Sequence, residues 1–202
     1  MKSFEIDMTA LRTVLPLVAK KDSLYPIREG ICCWPGGLLV ATDGYALGIY
    51  RDAHNSEEEI VFRVPAGFRA VLKKPYKKVI VHKLPDQRLV RLETPDERFA
   101  MTASIIGFPY YRKETIASVF RDNFVEQKSF AHFAVSPDLL KRFGDDPVRL
   151  YFSISGNKAV VRTKDKNFIG LVISGRNRQE LNELPGREDG FCWLFEKEEA
   201  IL

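Results

Sequence analysis

A chain of 202 residues, 45% hydrophobic and carrying a net charge of +4, has apolar material for a sizeable core and no compositional bias toward disorder. No apolar run approaches the roughly 20 residues of a membrane span, and Met1-Lys2-Ser3-Phe4-Glu5 lacks the apolar core of a signal peptide. The charge is unevenly placed: 28 Lys and Arg against 20 Asp and Glu in residues 1–176 leave +8, while 3 against 7 in residues 177–202 leave −4.

In chain order, Phe4-Glu5-Ile6 reads as a short strand before a helix from Thr9 to Lys21, with Leu11, Val14, Leu15 and Val18 on one stripe. Strands are expected over Glu29–Trp34, Leu38–Thr42 and Tyr45–Arg51, turned by Pro35-Gly36-Gly37 and Asp43-Gly44. Asn55-Ser56-Glu57-Glu58-Glu59 is a polar link. The pattern then restarts. Phe62-Arg63-Val64 leads into a helix over Pro65–Lys74, with Phe68, Val71 and Leu72 apolar. Strands follow over Lys78–His82, Arg88–Glu93 and Arg98–Ile106, the last setting Phe99, Met101, Ala103 and Ile105 against Ala100, Thr102 and Ser104.

Residues 114–131 read as a connector with Phe120, Phe124 and Phe130. A third copy opens at Phe133-Ala134-Val135. Ser136 stands at a helix N-cap, Pro137 at the first helical position, and Leu139, Leu140 and Phe143 share a face. Gly144-Asp145-Asp146-Pro147 stops that helix, and strands follow over Val148–Ile154, Lys158–Arg162 and Phe168–Ile173. Three copies of one β-α-β-β-β unit therefore organise the chain, which predicts an α+β fold with helices on one face of antiparallel sheets. One unit of about 45 residues buries too little apolar surface to stand alone. The first two copies are expected to pair as one domain, residues 1–113. Residues 114–202 form a second, incomplete one: connector 114–131, unit 132–176 and acidic tail 177–202. The third copy is completed either by a degenerate fourth unit, from 114–131 and 177–202, or by another chain.

Motifs for chemistry are missing. Cys32, Cys33 and Cys192 make no CxxC or Cys/His pattern. Cys32 and Cys33 point to opposite faces of a strand, so they do not pair, and a reducing cytoplasm is the expected setting. His54, His82 and His132 share no catalytic or metal spacing, Pro35-Gly36-Gly37 is followed by no helix that would hold a phosphate, and Thr42-Asp43-Gly44 reads as a hairpin turn. No nucleophile elbow or Walker-type run occurs. Neither an enzyme nor a cofactor is expected. The positive signal lies on the helices, whose polar sides are basic: Arg12, Lys20 and Lys21 on the first; Arg69, Lys73, Lys74, Lys77 and Lys78 on and after the second; Lys141 and Arg142 on the third. Side by side, such faces attract phosphates without reading base sequence. Three ordinary solvated helix faces would show the same pattern.

These residues resemble a known family, the bacterial sliding clamp or β subunit of DNA polymerase III. Leu39-Val40-Ala41-Thr42-Asp43-Gly44-Tyr45-Ala46-Leu47 is similar to the family's Ala-Thr-Asp-Gly strand-turn-strand. Pro26-Ile27-Arg28-Glu29-Gly30 resembles the approach to its second strand, and Gly107-Phe108-Pro109-Tyr110-Tyr111-Arg112 the segment closing a clamp domain. Phe168–Arg176 resembles its closing strand. The family has six such units per chain, whereas three are legible here; Asp22-Ser23-Leu24-Tyr25 stands where an arginine is expected, and Gly175 replaces a proline. The resemblance implies a non-catalytic ring around duplex DNA, with helices lining the hole and sheet edges pairing between subunits. It implies a homo-oligomer that serves as a processivity factor in replication or repair and meets a DNA polymerase or clamp loader. It also implies a peptide-binding pocket near Val172 and Ile173, a strand pair that burial explains equally well. The alternative is a clamp-fold interaction protein that does not encircle DNA and modulates a host clamp.

Overall fold

The computed structural model of the chain describes residues 3–20, 25–52, 54–85, 87–106, 135–152 and 158–173. Strand β1 (Ser3–Asp7) runs into helix α1 (Met8–Val14). Asp7 caps the helix, its side chain accepting from Thr9 N–H at 2.6 Å. The helix is shorter than the expected Thr9–Lys21. Pro16 has no N–H for the Arg12 carbonyl, so the chain tightens into a 3₁₀ turn over Leu15–Leu17 and becomes extended at Val18. A second 3₁₀ turn, Pro26–Glu29, precedes β2 (Ile31–Trp34), β3 (Leu38–Thr42) and β4 (Ala46–Arg51).

The second copy repeats this with β5 (Ile60–Phe62), α2 (Ala66–Val71), β6 (Lys78–Lys83), β7 (Leu89–Glu93) and β8 (Ala100–Ser104). Here too the helix is shorter than the expected Pro65–Lys74, because Pro65 is its extended N-cap and Leu72 its C-cap. The third copy has α3 (Pro137–Leu140), a 3₁₀ turn over Lys141–Phe143, β9 (Arg149–Phe152), β10 (Lys158–Arg162) and β11 (Phe168–Ile173). Ser136 occupies the cap position, but its hydroxyl makes no cap hydrogen bond. Residues 133, 134 and the turn 155–157 lie outside the described residues, as do segment 107–112, connector 114–131 and tail 177–202.

The first two copies exchange their opening strands. One sheet runs β1-β6-β7-β8, so β1 joins the strands of the second copy; β5 in turn heads β5-β2-β3-β4. Each copy thus contributes a strand to the other's sheet. The helices pack against the inner faces of both sheets in one core that includes Ile6, Leu11, Val14, Phe62, Phe68 and Val79. The Cys32–Cys33 expectation holds: Cys33 belongs to that core, Cys32 to a second apolar layer with Trp34, Val40 and Val160 on the opposite face. Both are free thiols whose pKa burial pushes up.

The third copy adds to the same sheet. β11 pairs antiparallel with β4 from Phe168↔Tyr50 to Val172↔Ala46, giving seven strands in the order β5-β2-β3-β4-β11-β10-β9. Two glycines face each other in that register, Gly48 and Gly170. Directly opposed residues point to one face of a sheet, and the two glycines admit side chains there: Leu17 Cδ1 lies 2.2 Å from where a Gly48 β-carbon would stand, and Phe143 Cε1 lies 2.3 Å from that of Gly170. Small residues at the seam let a helical turn of each copy lie directly on the joint sheet.

Candidate nucleic-acid interface

The hairpin turn Thr42-Asp43-Gly44 explains how the third copy is held to the first. Thr42 Oγ1 donates to Ala46 O at 2.6 Å and accepts from Gly44 N–H at 3.0 Å. Asp43 Oδ1 accepts from Tyr45 N–H (2.9 Å) and Ala46 N–H (2.8 Å), a side-chain-supported turn. Gly44 takes φ +93°, and a β-carbon there would meet the Arg28 guanidinium at 2.7 Å. The remaining oxygen of Asp43, Oδ2, is ion-paired with Arg142 of the third copy.

Helical segments of all three copies lie together. The 3₁₀ turn after α1 contacts the one after α3. Arg12 on α1 donates to the carbonyls that leave α2: Nε to Leu72 O (2.6 Å), Nη2 to Lys74 O (2.6 Å) and to Tyr76 O (3.3 Å). The Leu72 carbonyl, at the C-cap, sits at the negative end of α2, where a cation is favoured; Lys74 and Tyr76 follow beyond the helix. Arg12 therefore fastens copy one to copy two.

The basic residues separate into two groups. Arg12 and Arg142 are tied down as above, Lys74 Nζ lies 3.9 Å from the centroid of the Phe99 ring, Lys78 is paired with Glu5, and Lys141 with Asp138 at 3.3 Å. The Glu5 carboxylate holds the Lys78 ammonium above its ordinary pKa. Lys20, Arg69, Lys73 and Lys77 are exposed and make no ion pair with another described residue. Lys20 stands beyond the shortened helix rather than on it, and Lys21 lies outside the described residues. On the closing strand, Val172 is fully buried and belongs to the core, while Ile173 is 41% exposed beside Tyr45, whose carbonyl accepts its N–H at 2.9 Å. Among the described residues no group of three or more His, Cys, Asp or Glu could hold a metal, and no helix is long and apolar enough to cross a membrane.

No family model and no curated protein sequence matches the chain. Its architecture does match solved structures. The DNA polymerase III β subunit of Thermotoga maritima superposes with a TM-score of 0.60 at 12% identity, covering 92% of this chain and 66% of that one. The β subunit of Borrelia burgdorferi gives 0.60 at 16%, covering 88% and 65%. The DNA polymerase sliding clamp of Pseudomonas aeruginosa gives 0.58 at 18%, covering 86% and 66%. The chain has the sliding-clamp fold. It spans about two thirds of the length of the clamps it matches. The α+β class expected from the repeats and the clamp-like architecture implied by the resemblance are the ones observed. In this chain the turn around Asp43 is a structural joint between copies.

The sequence did not signal that Arg12 is committed to backbone carbonyls. Arg12 and Lys73 look alike on a helical wheel. Only the exit path of α2 brings three carbonyls to Arg12.

Proposed function

We propose that the chain is a sliding-clamp-like tether. It binds duplex DNA without sequence preference, as a homo-oligomer, and holds a polymerase or related replication or repair enzyme on its template, with no catalysis of its own. The observation that carries this reading is the clamp fold combined with exposed, uncommitted cations on and beside the helical segments: Lys20, Arg69, Lys73 and Lys77. Cations without carboxylate partners are free to exchange counterions for phosphates, which gives a salt-dependent, sequence-independent affinity. Residues 1–113 act as one clamp domain and 114–202 as a second, incomplete one, joined at the β4–β11 seam. In this reading the sheet edges of neighbouring copies pair and close the ring.

The test joins mass to retention. Light scattering should give a multiple of the 23.1 kDa chain, and the protein should stay on nicked circular DNA longer than on linear DNA of equal length. Arg69→Glu, Lys73→Glu and Lys77→Glu together should abolish retention with unchanged thermal stability. Each removed cation should also lower the salt slope of binding by about one. Lys74 and Arg142 are unsuitable for this experiment, because their contacts with Phe99 and Asp43 hold the fold. A monomer at all concentrations, or retention untouched by the triple substitution, refutes the reading.

A further inference from the structure

The two exchanged strands are finished differently at their outer edges. On β5, Arg63 N–H donates to Ser104 O (3.2 Å), Ile106 N–H donates to Val61 O (2.8 Å), and Phe62 bridges Ile105. The stretch after β8 thereby covers that edge. β1 is the counterpart of β5 in the first copy, and Glu5 the counterpart of Arg63. Register with β6, together with Met8 N–H donating to Lys77 O (2.8 Å), makes Phe4 and Ile6 the hydrogen-bonded positions. Ser3, Glu5 and Asp7 therefore turn their backbone N–H and C=O groups outward. Asp7 N–H is taken by Asp52 Oδ1 at 2.7 Å; no described residue pairs with the outward groups of Ser3 and Glu5.

The stretch after β4 takes another course. Asp52 N–H is held by Gly37 O at 2.8 Å, and His54 packs on Phe4 with its Nε2 3.2 Å from Leu38 O. Between this wall and the sheet lies a cleft of about 650 Å³ that touches all five residues of β1. A smaller one of about 180 Å³ continues it past Ser3 and Phe4 to Glu57, Glu58 and Lys83. That volume is within the range of ligand-binding clefts. Its charge opposes the rest of the molecule: Glu5, Asp7, Asp52, Glu57 and Glu58 line it against Lys78 and Lys83, which pair with Glu5 and Glu58 and leave the cleft acidic in a chain whose net charge is +4.

We propose that this cleft docks an extended, positively charged peptide segment of a partner protein, added as a short strand along β1 through the outward backbone groups of Ser3 and Glu5. An uncovered strand edge is a template for pairing, and strand addition takes its affinity from main-chain hydrogen bonds. Specificity comes from the carboxylates, which favour basic side chains at alternate positions. Asp52 Oδ2 is buried with no hydrogen-bond partner among the described residues, so a guanidinium or ammonium arriving there satisfies an orphaned acceptor. A basic segment complements the charge of this cleft, whereas residues 177–202 carry a net charge of the cleft's own sign.

The probe is a short capped peptide alternating valine with lysine or arginine, titrated into ¹⁵N-labelled full-length protein. The Glu5 amide should shift and gain protection from hydrogen exchange, and about 1 M salt, where the Debye length is about 3 Å, should weaken binding strongly. The same peptide with glutamate at each basic position should not bind. N-methylation of the peptide at alternate amides should cost about tenfold in affinity, the worth of a backbone hydrogen bond. Glu5→Pro removes an outward N–H and no β1–β6 ladder bond, so it should cost a similar factor, while Glu5→Gln should cost less. If Glu5→Pro fails to fold, the exchange measurement on the unaltered protein still decides. Equal binding of the acidic peptide, indifference to N-methylation, or protection that leaves Glu5 unchanged would overturn the proposal.

Discussion

Gly170→Ala tests whether the turn after α3 lies directly on the β4–β11 seam. In an ordinary strand this substitution stabilises, because alanine loses less chain entropy, by about 0.5–1 kcal/mol. Here a β-carbon would stand 2.3 Å from Phe143 Cε1, 2.9 Å from Cδ1 and 3.2 Å from Val161 Cβ. Carbon atoms in contact normally keep about 3.5–4.0 Å, so the overlap with the ring exceeds about 1 Å. Phe143 has little room to yield: it is buried, and its ring centroid lies 6.1 Å from that of Phe168. Overpacking costs about 1–3 kcal/mol; an overlap this deep with a buried ring belongs to the upper part of that range, about 2–3 kcal/mol, and after an entropy gain of about 1 kcal/mol the net is about 1–2 kcal/mol. For a chain of this length that is a fall in Tm of about 2–8 °C. The assay is thermal unfolding followed by circular dichroism on four proteins: the parent, Gly170→Ala, Phe143→Leu and the double variant. Leucine removes the ring atoms that clash, so the double variant should be more stable than additivity predicts by at least about 0.5 kcal/mol. A Gly170→Ala protein as stable as its parent, or strictly additive effects, would refute the close approach of the turn after α3 to the seam.

Arg12→Ala should destabilise by about 2 kcal/mol, because three carbonyls lose charge-assisted bonds, and Arg12→Lys should recover less than half, since an ammonium lacks the fork. Unchanged stability with lost DNA retention would instead make Arg12 a phosphate contact. Asp43→Ala should cost about 2–3 kcal/mol in urea unfolding, removing two backbone hydrogen bonds and the Arg142 pair together, and Arg142→Ala should cost clearly less. Equal losses would show that the ion pair, not the turn, carries the effect. Burial, with the nearby Asp7 charge, outweighs the hydrogen bond from Asp7 N–H and pushes the Asp52 carboxyl up to about 6. The folded chain then holds that proton more tightly than the unfolded chain, so stability falls as pH rises from about 4 to about 6. Asp52→Asn should remove this slope and stabilise more near pH 7 than near pH 4; an equal difference at both would discard the assignment.

Much of the strand pattern was readable in advance. Leu38–Thr42, Lys158–Arg162 and Phe168–Ile173 fall where alternation and turn residues put them. The helices were over-extended for a local reason. Pro16 ends α1 four residues after Arg12, but the apolar stripe through Val18 continues past it. Met101 was expected to alternate inward with Ala103. It does face the helix side, over Gly67 of α2, yet remains 36% exposed because β8 is the last strand of its sheet among the described residues.

From its sequence alone this chain determines a thrice-repeated unit, an α+β class and basic helix flanks, since period, turn chemistry and charge are local properties. The tertiary structure decided the exchange of β1 and β5, the joining of β11 to β4, and which cations stay free. Those outcomes depend on which edge finds which strand and which carbonyls an arginine meets, contacts between residues 45 to 99 positions apart, such as Asp7 with Asp52 and Asp43 with Arg142. Periodicity within one element carries no information about them.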